Sequence, residues 1–563
     1  MAQKSSFSTE NLLYVCILIV ALALRFFALG SPLLTEHEAS SALPAYQLNS
    51  GQTPDLGDHP AYVVLTSLLF ALLPSNEFLA RFWPALFGTA FVLLPYFWRD
   101  TLGRKPALLL GLALAIDPGA VAISRLASGH MLAVSASLFA LTAWRHNQPF
   151  LAGILGALAL LAAPTLYFGT LAILLAAFLS TSRPPKTQKA EFRVAVIAAA
   201  ATLLVGGTLF GSVPQGLGGV GNVFSTFLQG WRVPSWIFMR DILFALVGYG
   251  LPALIFGSIA AIRAWTQNLA FSKTLSLAAL FALVLILVYP GRQVADLLWV
   301  LLPLWALAAA EISRYLQIPE QERAAAFGTL ALVLLLVVFF TLTLARLSFS
   351  EAGTELYRNY LLVAGAVIVL GGLVTTLIAF GWSRQAASNG LVWGLSILFV
   401  IALFAASTRF ARPGVSLANE LWSPGPAAGQ GAVLLANLDS LSAIDQGQPQ
   451  GLPVTSRLES NALAWILRAW PAPSLDQLNV GPDLFITLAT GSLPEEASTY
   501  RGQSFALSVQ RAWDGAPPNV FSWLLFRQAP TLKQEAILWA QIGIFPNGLL
   551  FLQGQQSLDE SVE

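Results

Sequence analysis

Residues 30–60 read GSPLLTEHEASSALPAYQLNSGQTPDLGDHP and form a polar stretch directly after the first long apolar run. Five of its titratable side chains are grouped, as Glu36, His37 and Glu38 and as Asp58 and His59. Titratable groups beside hydrocarbon are costly and commonly serve a function, so this stretch is the first candidate site. The alternative is a hydrated loop whose charges keep it out of the bilayer. The stretch alone leaves both interpretations open.

The composition around this stretch is that of a membrane protein. Of the 563 residues, 56% are hydrophobic and 10% are charged, whereas a soluble protein carries about 25% charged residues. The mean hydropathy is +0.68. A net charge of +1 argues against a nucleic-acid partner. Cys16 is the single cysteine, which excludes a disulfide framework and a cysteine-based metal site.

Apolar runs predict an α-helical polytopic membrane protein with about thirteen spanning helices. The first run, nearly twenty residues without a cleavage pattern, predicts a retained anchor helix rather than a signal peptide. The predicted spans are residues 11–29, 79–98, 105–123, 129–144, 149–163, 165–180, 193–211, 241–262, 273–290, 294–312, 326–345, 360–381 and 391–409.

Basic residues predict the orientation of these spans. With the amino terminus inside, the main basic clusters, beginning with Arg99, Arg104 and Lys105, fall on the cytoplasmic side. The polar stretch and the carboxyl terminus then fall outside. This assignment of sides requires an odd number of crossings. The short apolar run at residues 61–73 must therefore lie on or dip into the outer leaflet without crossing.

Two further regions complete the predicted organisation. Residues 212–230 are glycine-rich and predict an external loop, either a mobile flap over a site or, more plainly, a flexible connector. The division predicted is a transmembrane domain at 1–412, with external loop 30–78 carrying the candidate site, and a small extracytoplasmic α/β domain at 413–563. Within the latter, the pattern predicts strands at 433–438 and 484–489 and a helix at 461–470.

Three predicted external segments carry the remaining candidate residues. Arg125 and His130 flank the turn SRLASGH, and Arg292 opens a span that also carries Asp296. Arg81 lies just outside the second predicted span. A carboxylate of the first segment could act as a general base. The arginines could clamp a lipid phosphate, or they could be interfacial anchors that reach to headgroups.

A metal site is a weaker interpretation of the same residues. Histidine and carboxylate converge in the first loop and at His130, and both are zinc ligands. The spacing, however, matches no fixed ligand pattern such as two histidines four residues apart on one helix. We therefore assign no metal ligand from the sequence and keep a divalent metal as an alternative.

The order of features resembles the GT-C glycosyltransferases. The motifs are an acidic loop after a first helix, HPAYVVLTSLLFALL, RFWPALFG, a basic turn and DPGAVAISR. The similarity is greatest to the family 39 group, which includes protein O-mannosyltransferases and the aminoarabinose transferase of lipid A. Within it, ALAWILRAW, YRGQSFAL and FSWLLFRQAPT resemble prokaryotic members associated with lipid-linked oligosaccharide flipping. The resemblance covers almost the whole chain.

The resemblance implies inverting transfer of a sugar from a polyprenyl-phosphate donor on the extracytoplasmic face. On this resemblance we expect the catalytic group to be Glu38, His37 or Glu36. From their place in the predicted external segments, we expect the donor to be bound by Asp58, His59, Arg81, Arg125, His130 and Arg292. The family's Asp-Glu pair is replaced here by His37-Glu38, and its second-loop acidic residue by His130. A lysine common in the family is absent at residues 162–165, which read AAPT.

These departures keep two functions open. The first is an active glycosyltransferase, with membrane lipids and a polyprenyl-phosphate-linked sugar as partners. The second is a non-catalytic relative that binds or helps translocate a lipid-linked glycan. An ion-coupled transporter is less favoured, because the spans carry few charges apart from Asp117 and Asp296 near their outer ends. The sugar and the acceptor are not predicted.

Overall fold

The computed structural model describes residues 9–180, 189–209, 211–317, 320–471, 483–489 and 500–544. The chain forms two compact units. The first comprises Met1–Ser31, Pro44–Pro424 and Trp513–Ala529, and the second comprises Pro32–Leu43, Gly425–Ala512 and Pro530–Glu563. The sequence-based division at residue 413 differs from this one, because residues 32–43 group with the second unit and residues 513–529 with the first.

The first unit is helical. Its helices, with α2 beginning in the second unit, are α1 (Thr9–Phe26), α2 (Glu36–Asn49), α3 (Pro60–Leu72), α4 (Glu77–Phe91), α5 (Leu94–Phe97), α6 (Arg99–Leu102), α7 (Arg104–Ile116), α8 (Pro118–Ser124), α9 (His130–Arg145), α10 (Pro149–Leu160), α11 (Thr165–Leu179), α12 (Lys189–Gly207), α13 (Gly219–Gln229), α14 (Met239–Thr266), α15 (Ala270–Val288), α16 (Leu298–Ser313), α17 (Arg323–Ser348), α18 (Glu355–Gly381) and α19 (Arg384–Ala411). Short 3-10 turns at Pro214–Gly218 and Val294–Leu297 lead into α13 and α16.

Every predicted span coincides with a helix or with a bent helix pair. Among the described residues, nine helices are long and apolar enough to cross a membrane, or ten if the pair α7–α8 is one span. The chain is thus a multi-pass membrane protein. α9, α10 and α11 have 16, 12 and 15 residues, which is short for a hydrocarbon layer of about 30 Å. The count of thirteen therefore remains a prediction.

The predicted span at 105–123 is broken rather than continuous. α7 and α8 meet at 56°, because Asp117-Pro118 ends one helix and starts the next. The Asp117 carboxylate accepts hydrogen bonds from the Ala120 amide at 2.8 Å and from the Trp305 indole at 2.9 Å. An N-capping aspartate followed by proline is a strong helix start.

The glycine-rich stretch at 212–230 is also more ordered in form than predicted. It contains a 3-10 turn and helix α13 instead of an irregular connector. Backbone hydrogen bonds join the stretch and the residues after it to the turn between α15 and α16, from Gly291 to Gly230 at 2.7 Å and from Ser235 to Pro290 at 3.0 Å. The glycines permit this approach, since a Cβ on Gly291 would lie 2.6 Å from the Gly230 backbone.

The second unit is built on a five-stranded sheet of order β1-β4-β5-β3-β2. The strands are β1 (Ala427–Ala428), β2 (Val454–Ser456), β3 (Leu484–Leu488), β4 (Tyr500–Arg511) and β5 (Thr531–Gln541). Among the described residues, β2 and β3 pair in parallel and the other neighbouring strands pair antiparallel. Helices α20 (Gly431–Gln446) and α21 (Asn461–Ile466) belong to this unit, and α22 (Val520–Phe526) belongs to the first.

The second unit contains some, but not all, of the strands and helices predicted from the sequence. The strand predicted at 484–489 is confirmed by β3, and the helix predicted at 461–470 is confirmed in part by the shorter α21. The strand predicted at 433–438 is wrong, because this run lies inside α20. Its residues Leu434 and Leu438 are buried four positions apart, on one helix face. The prediction did not include the two longest strands, β4 and β5.

Candidate functional site

His59 is fixed at the start of α3 by its ring and by the backbone beside it. It is 2% exposed, and its Nδ1 lies 3.1 Å from the Ala162 carbonyl oxygen. The Ala61 amide donates to the neighbouring Leu161 carbonyl at 2.8 Å. Gly129 permits this close packing, because a Cβ there would lie 1.9 Å from the Ala162 oxygen.

His130 opens α9 and contacts His59. The two imidazole rings lie edge to face, with centroids 4.8 Å apart. The Nδ1 of His130 is 3.2 Å from the Ser128 hydroxyl, and its Nε2 is hydrogen-bonded to the Gln293 side-chain oxygen. His130 therefore joins the turn before α9 to the turn before α16.

Gln293 and Asp296 shape the third segment. The Asp296 carboxylate accepts a hydrogen bond from the backbone N–H of Gln293 at 2.9 Å, which caps the 3-10 turn leading into α16. Asp296 is 3% exposed. We name the group formed by His59, Ser128, His130, Gln293 and Asp296 the polar cluster.

The structure brings His59, His130 and the turn before α16 together within the first unit, although they come from three separate segments of the chain. Sequence reasoning placed His59 and His130 among the candidates. It did not single out Gln293 or the Ala162 carbonyl, because only the fold shows which backbone oxygens face an imidazole.

Several helices begin around the polar cluster without a capping side chain. This holds for α3, α9 and α11, and α11 packs against the 3-10 turn that leads into α16. The first amides of a helix lack intrahelical acceptors, and the helix dipole places partial positive charge there. Converging helix starts are a favourable place for an anionic group such as a phosphate.

An apolar cavity of about 210 Å³ lies along the same helices. It is lined by Leu138 of α9, Ala172 of α11, and Trp299, Leu302 and Ala306 of α16, together with residues of α15. α9, α11 and α16 thus begin near the polar cluster and continue along the cavity. Gly169 makes room for the Trp299 ring, since a Cβ there would lie 2.2 Å from it.

Two of the predicted phosphate-binding arginines are hydrogen-bonded to the end of α1. Arg125 Nη1 donates to the carbonyls of Leu24, Arg25 and Phe27 at 3.0–3.1 Å, and its Nη2 donates to Ala28 at 3.4 Å. Arg81 Nη1 donates to the Leu29 carbonyl at 3.1 Å. A guanidinium group at the carboxyl end of a helix satisfies carbonyls that have no intrahelical donor.

Arg292 has the same kind of position at the end of α15. Its Nε donates to the carbonyls of Ile286 and Tyr289 at 3.1 and 2.9 Å, and its Nη2 donates to Leu287 at 3.2 Å. Burial lowers the pKa of Arg292 from its ordinary value, but an arginine keeps its charge in proteins. Within the described part of the chain its Nη1 has no hydrogen-bond partner, so Arg292 still has two N–H groups to offer a ligand.

Glu36 and Glu38 of the first loop belong to the second unit and cap helices there. Glu36 accepts hydrogen bonds from the Ser460 hydroxyl at 2.7 Å and from the amides of Asn461 and Ala462 at 2.6 and 3.0 Å, at the start of α21. Glu36 also lines a cavity of about 320 Å³ in this unit. His37 lies between Glu36 and Glu38 at the start of α2 and is partly exposed.

Glu38 forms a capping box with Thr35. Its Oε2 accepts hydrogen bonds from the Thr35 amide at 3.0 Å and hydroxyl at 3.1 Å, and its amide lies 3.4 Å from that hydroxyl. Glu38 is 1% exposed. The sequence T-E-H-E carries this signal, since a threonine followed three residues later by glutamate marks a helix start. The structure therefore has a helix start where a loop is predicted from the sequence.

The comparisons with known proteins concern the fold. No family model matches the chain, and no curated protein matches it. A crystal structure of ArnT from Cupriavidus metallidurans bound to undecaprenyl phosphate is similar over 97% of this chain and 99% of that one, with a TM-score of 0.58 and 12% identity. The apo form of that protein is similar over 94% and 98%, with a TM-score of 0.52 and 14% identity. The chain therefore has a GT-C fold with a small carboxyl-terminal α/β unit.

Proposed function

We propose that this protein is a membrane glycosyltransferase that takes its sugar from a polyprenyl-phosphate donor and transfers it on the extracytoplasmic face. The observation that carries the proposal is the course of α9, α11 and α16. They begin near the polar cluster, where helix starts favour a phosphate, and then line an apolar cavity. A ligand with an anionic head and a long hydrocarbon chain could place its head at the polar cluster and its chain in the apolar cavity.

The ligand of the structural neighbour supports the same chemistry. ArnT of Cupriavidus metallidurans binds undecaprenyl phosphate, which is such a head and chain. In this chain the cavity residues Trp299, Leu302 and Ala306 lie on α16, directly after the 3-10 turn that contains Asp296. At about 1.5 Å per residue, they extend from about 4 to 15 Å beyond it.

A second function, lipid-linked glycan binding without catalysis, has a specific observation in its favour. Glu36 and Glu38 accept hydrogen bonds at helix starts, which gives both carboxylates a capping role that does not require catalysis. The position of the family's catalytic aspartate is held by His37. Both functions require the same lipid site, and only transfer of a sugar separates them.

The test of the shared lipid site is a binding measurement. Ala278 is a partly exposed residue of α15 that lines the cavity, so Ala278→Phe fills space with little effect on the packed core. We expect undecaprenyl phosphate to bind the purified wild type and to bind Ala278→Phe about tenfold more weakly, because filling a pocket excludes the chain that would occupy it. Ala366→Phe, on the exposed face of α18, is the matched control and should bind as the wild type does.

Equal affinity in the two phenylalanine variants would contradict the cavity as the lipid site. Transfer is then measured with polyprenyl-phosphate sugars and a panel of protein, lipid and polysaccharide acceptors. Turnover by the wild type supports the glycosyltransferase. Tight lipid binding without turnover across the panel supports the non-catalytic function instead.

A further inference from the structure

The apolar cavity continues away from the polar cluster, and its opposite end is bounded by other residues. α9 begins at the polar cluster with His130 and ends at Arg145, and at about 1.5 Å per residue these ends lie about 22 Å apart. Leu141, near the end of α9, lines the cavity. α15 ends at the turn that leads into α16, so its early cavity-lining residues Phe271 and Thr274 also lie away from the polar cluster. We call this part of the cavity its far end.

Trp98 lines the far end of the cavity and is held in one orientation against α9. Its Nε1 donates to the Thr142 hydroxyl at 2.8 Å, and that hydroxyl donates to the Leu138 carbonyl at 2.7 Å. Thr142 is buried. Beside it, the Nε2 of His146 lies 3.1 Å from the Phe97 carbonyl oxygen. The indole ring is thus a fixed part of the cavity wall.

Arg145 lies over this ring, and its N–H groups make no hydrogen bond or ion pair within the described part of the chain. Its guanidinium carbon is 4.6 Å from the centroid of the Trp98 ring. A guanidinium group that rests on an aromatic face keeps its donors available at its edge, where two of them can bind one phosphate. The Arg145 side chain is exposed, so a head group can reach it.

The charge of the neighbouring helix ends is net positive. The Glu10 carboxylate lies 3.8 Å from both Arg99 Nη1 and Arg104 Nε, so one acidic group is shared by two arginines. The four cationic and two acidic side chains of these helix ends are Arg99, Arg104, Lys105 and Arg145, and Glu10 and Asp100. All of them fall on the side predicted to be cytoplasmic, where membrane lipids carry negative charge.

We propose that Trp98 and Arg145 form the head of a site for one anionic phospholipid, whose phosphate binds the Arg145 guanidinium and whose acyl chain enters the far end of the apolar cavity. Basic side chains between membrane helices bind anionic head groups in this way, and the cavity supplies the apolar part of the site. An arginine that only reaches to the interface as an anchor needs neither a fixed aromatic ring nor a cavity. All these residues belong to the first unit.

The experiment uses phospholipid alone, so its result is independent of undecaprenyl phosphate and of the proposed transfer reaction. Purified, delipidated full-length protein in detergent is titrated with dioleoyl phosphatidylglycerol, and bound lipid is counted by native mass spectrometry. We expect one retained lipid per chain and about tenfold weaker retention of dioleoyl phosphatidylcholine, whose head group has no net charge. Inorganic phosphate at the same concentration should not displace the lipid, because it lacks the acyl chain.

Two pairs of variants locate the head and the chain. Arg145→Gln should weaken phosphatidylglycerol retention about tenfold, because the charge-assisted hydrogen bonds to the phosphate are lost. Arg384→Gln is its control and should bind normally, since Arg384 is also exposed and 5.9 Å from an aromatic ring centroid, that of Phe380, but does not line the cavity.

Thr274→Phe should weaken retention about tenfold by filling the far end of the cavity. Thr376→Phe is its control and should bind normally. Both threonine hydroxyls donate to the carbonyl four residues earlier, at 3.1 and 2.7 Å, but Thr376 lies on the exposed face of α18. Each variant is first shown to have the thermal midpoint of the wild type.

Several results would overturn the site. Equal retention of the two phospholipids by the wild type would remove the anionic head group from it, and displacement by inorganic phosphate would replace the lipid by a free anion. Equal retention by Arg145→Gln and Arg384→Gln would show that Arg145 is only an interfacial anchor. Equal retention by folded Thr274→Phe and Thr376→Phe would place the acyl chain outside the cavity.

Discussion

Single arginine side chains of this protein stabilise helix ends, and this limits what a sequence can say about them. Arg125 and Arg292 were predicted to clamp one phosphate, because guanidinium matches phosphate oxygens in pairs. Both donate to carbonyls at the end of a helix, Arg125 at α1 and Arg292 at α15. An arginine at the outer end of a predicted span can bind a phosphate or cap a helix, and the sequence does not distinguish these two roles. The shared clamp remains a prediction.

The two arginines should respond differently to replacement by lysine. Arg125 donates through both Nη atoms to four backbone carbonyls, so Arg125→Lys should lower the thermal midpoint with or without lipid. The Nη1 group of Arg292 remains available to bind a ligand, and lysine has no equivalent group. Arg292→Lys should therefore weaken undecaprenyl phosphate binding about tenfold, since a charge-assisted hydrogen bond contributes roughly 1.5–3 kcal/mol. Thermal unfolding with and without lipid measures both effects. A lipid-induced shift retained in Arg292→Lys but lost in Arg125→Lys would reverse the assignment.

The candidate base can be tested at the same scale. If the protein transfers sugars, we expect Glu38→Gln to abolish transfer. Thr35→Ala, which disrupts the same capping box but keeps the carboxylate, should retain transfer. A carboxylate base leaves the rate flat from about pH 5.5 upward, whereas an imidazole base makes it rise through about pH 6.5. Loss of transfer in His37→Ala alone, with a rising profile, would give the role to His37.

At the scale of elements, periodicity and capping signals predicted the spans well and the soluble unit less well. Asp117-Pro118 carries a helix-start signal, yet the apolar run around it reads as one span, so the break in α7–α8 was not predicted. The run at 433–438 is apolar enough for a strand and became helix. β4 and β5 alternate too weakly to stand out, because their pairing in the sheet, not their own pattern, stabilises them.

The cap of α21 shows how a distant carboxylate can fix a short helix. Glu36 accepts three hydrogen bonds at its start, while Ser460 accepts from the Leu463 amide at 3.2 Å. Glu36→Ala should therefore destabilise the protein by about 1–2 kcal/mol, the usual range for a lost cap. Chemical or thermal unfolding measures this change. Glu459→Ala is the control, because Glu459 is exposed, and an equal effect of the two substitutions would contradict the capping role.

At the scale of the whole molecule, the chain order does not follow the compact units. The segment Trp513–Ala529 belongs to the first unit, where Arg527 Nε lies 3.6 Å from the Glu420 carboxylate. Arg409 donates to the same carboxylate at 3.0 Å, and the Tyr249 hydroxyl also bonds to it. Glu420 is 4% exposed, so it needs these partners. A composition change at residue 413 cannot reveal this return of the chain.

The number of crossings is the property of the whole chain that remains a prediction, and its parity is testable. Between Ser75 and Ser423 the predicted spans number twelve if α9, α10 and α11 all cross, which places both serines on one side. If none of the three crosses, nine remain and the serines lie on opposite sides. At about 1.5 Å per residue, α9, α10 and α11 are about 24, 18 and 22 Å long, so they cross only where their flanking turns extend them or the bilayer thins.

We expect both serines to be outside. In a Cys16→Ser background, which removes the single cysteine, Ser75→Cys and Ser423→Cys should react with a membrane-impermeant maleimide in intact cells. Gln148→Cys, in the exposed turn between α9 and α10, should react only after the cells are opened, because three predicted spans separate it from Ser75. Labelling of Ser75→Cys with protection of Ser423→Cys would mean an odd number of crossings and would remove one or all three of the short helices from the membrane. It would also put residues 32–43 and residues 425–512 on opposite sides of the membrane, which contradicts the compact second unit that contains both.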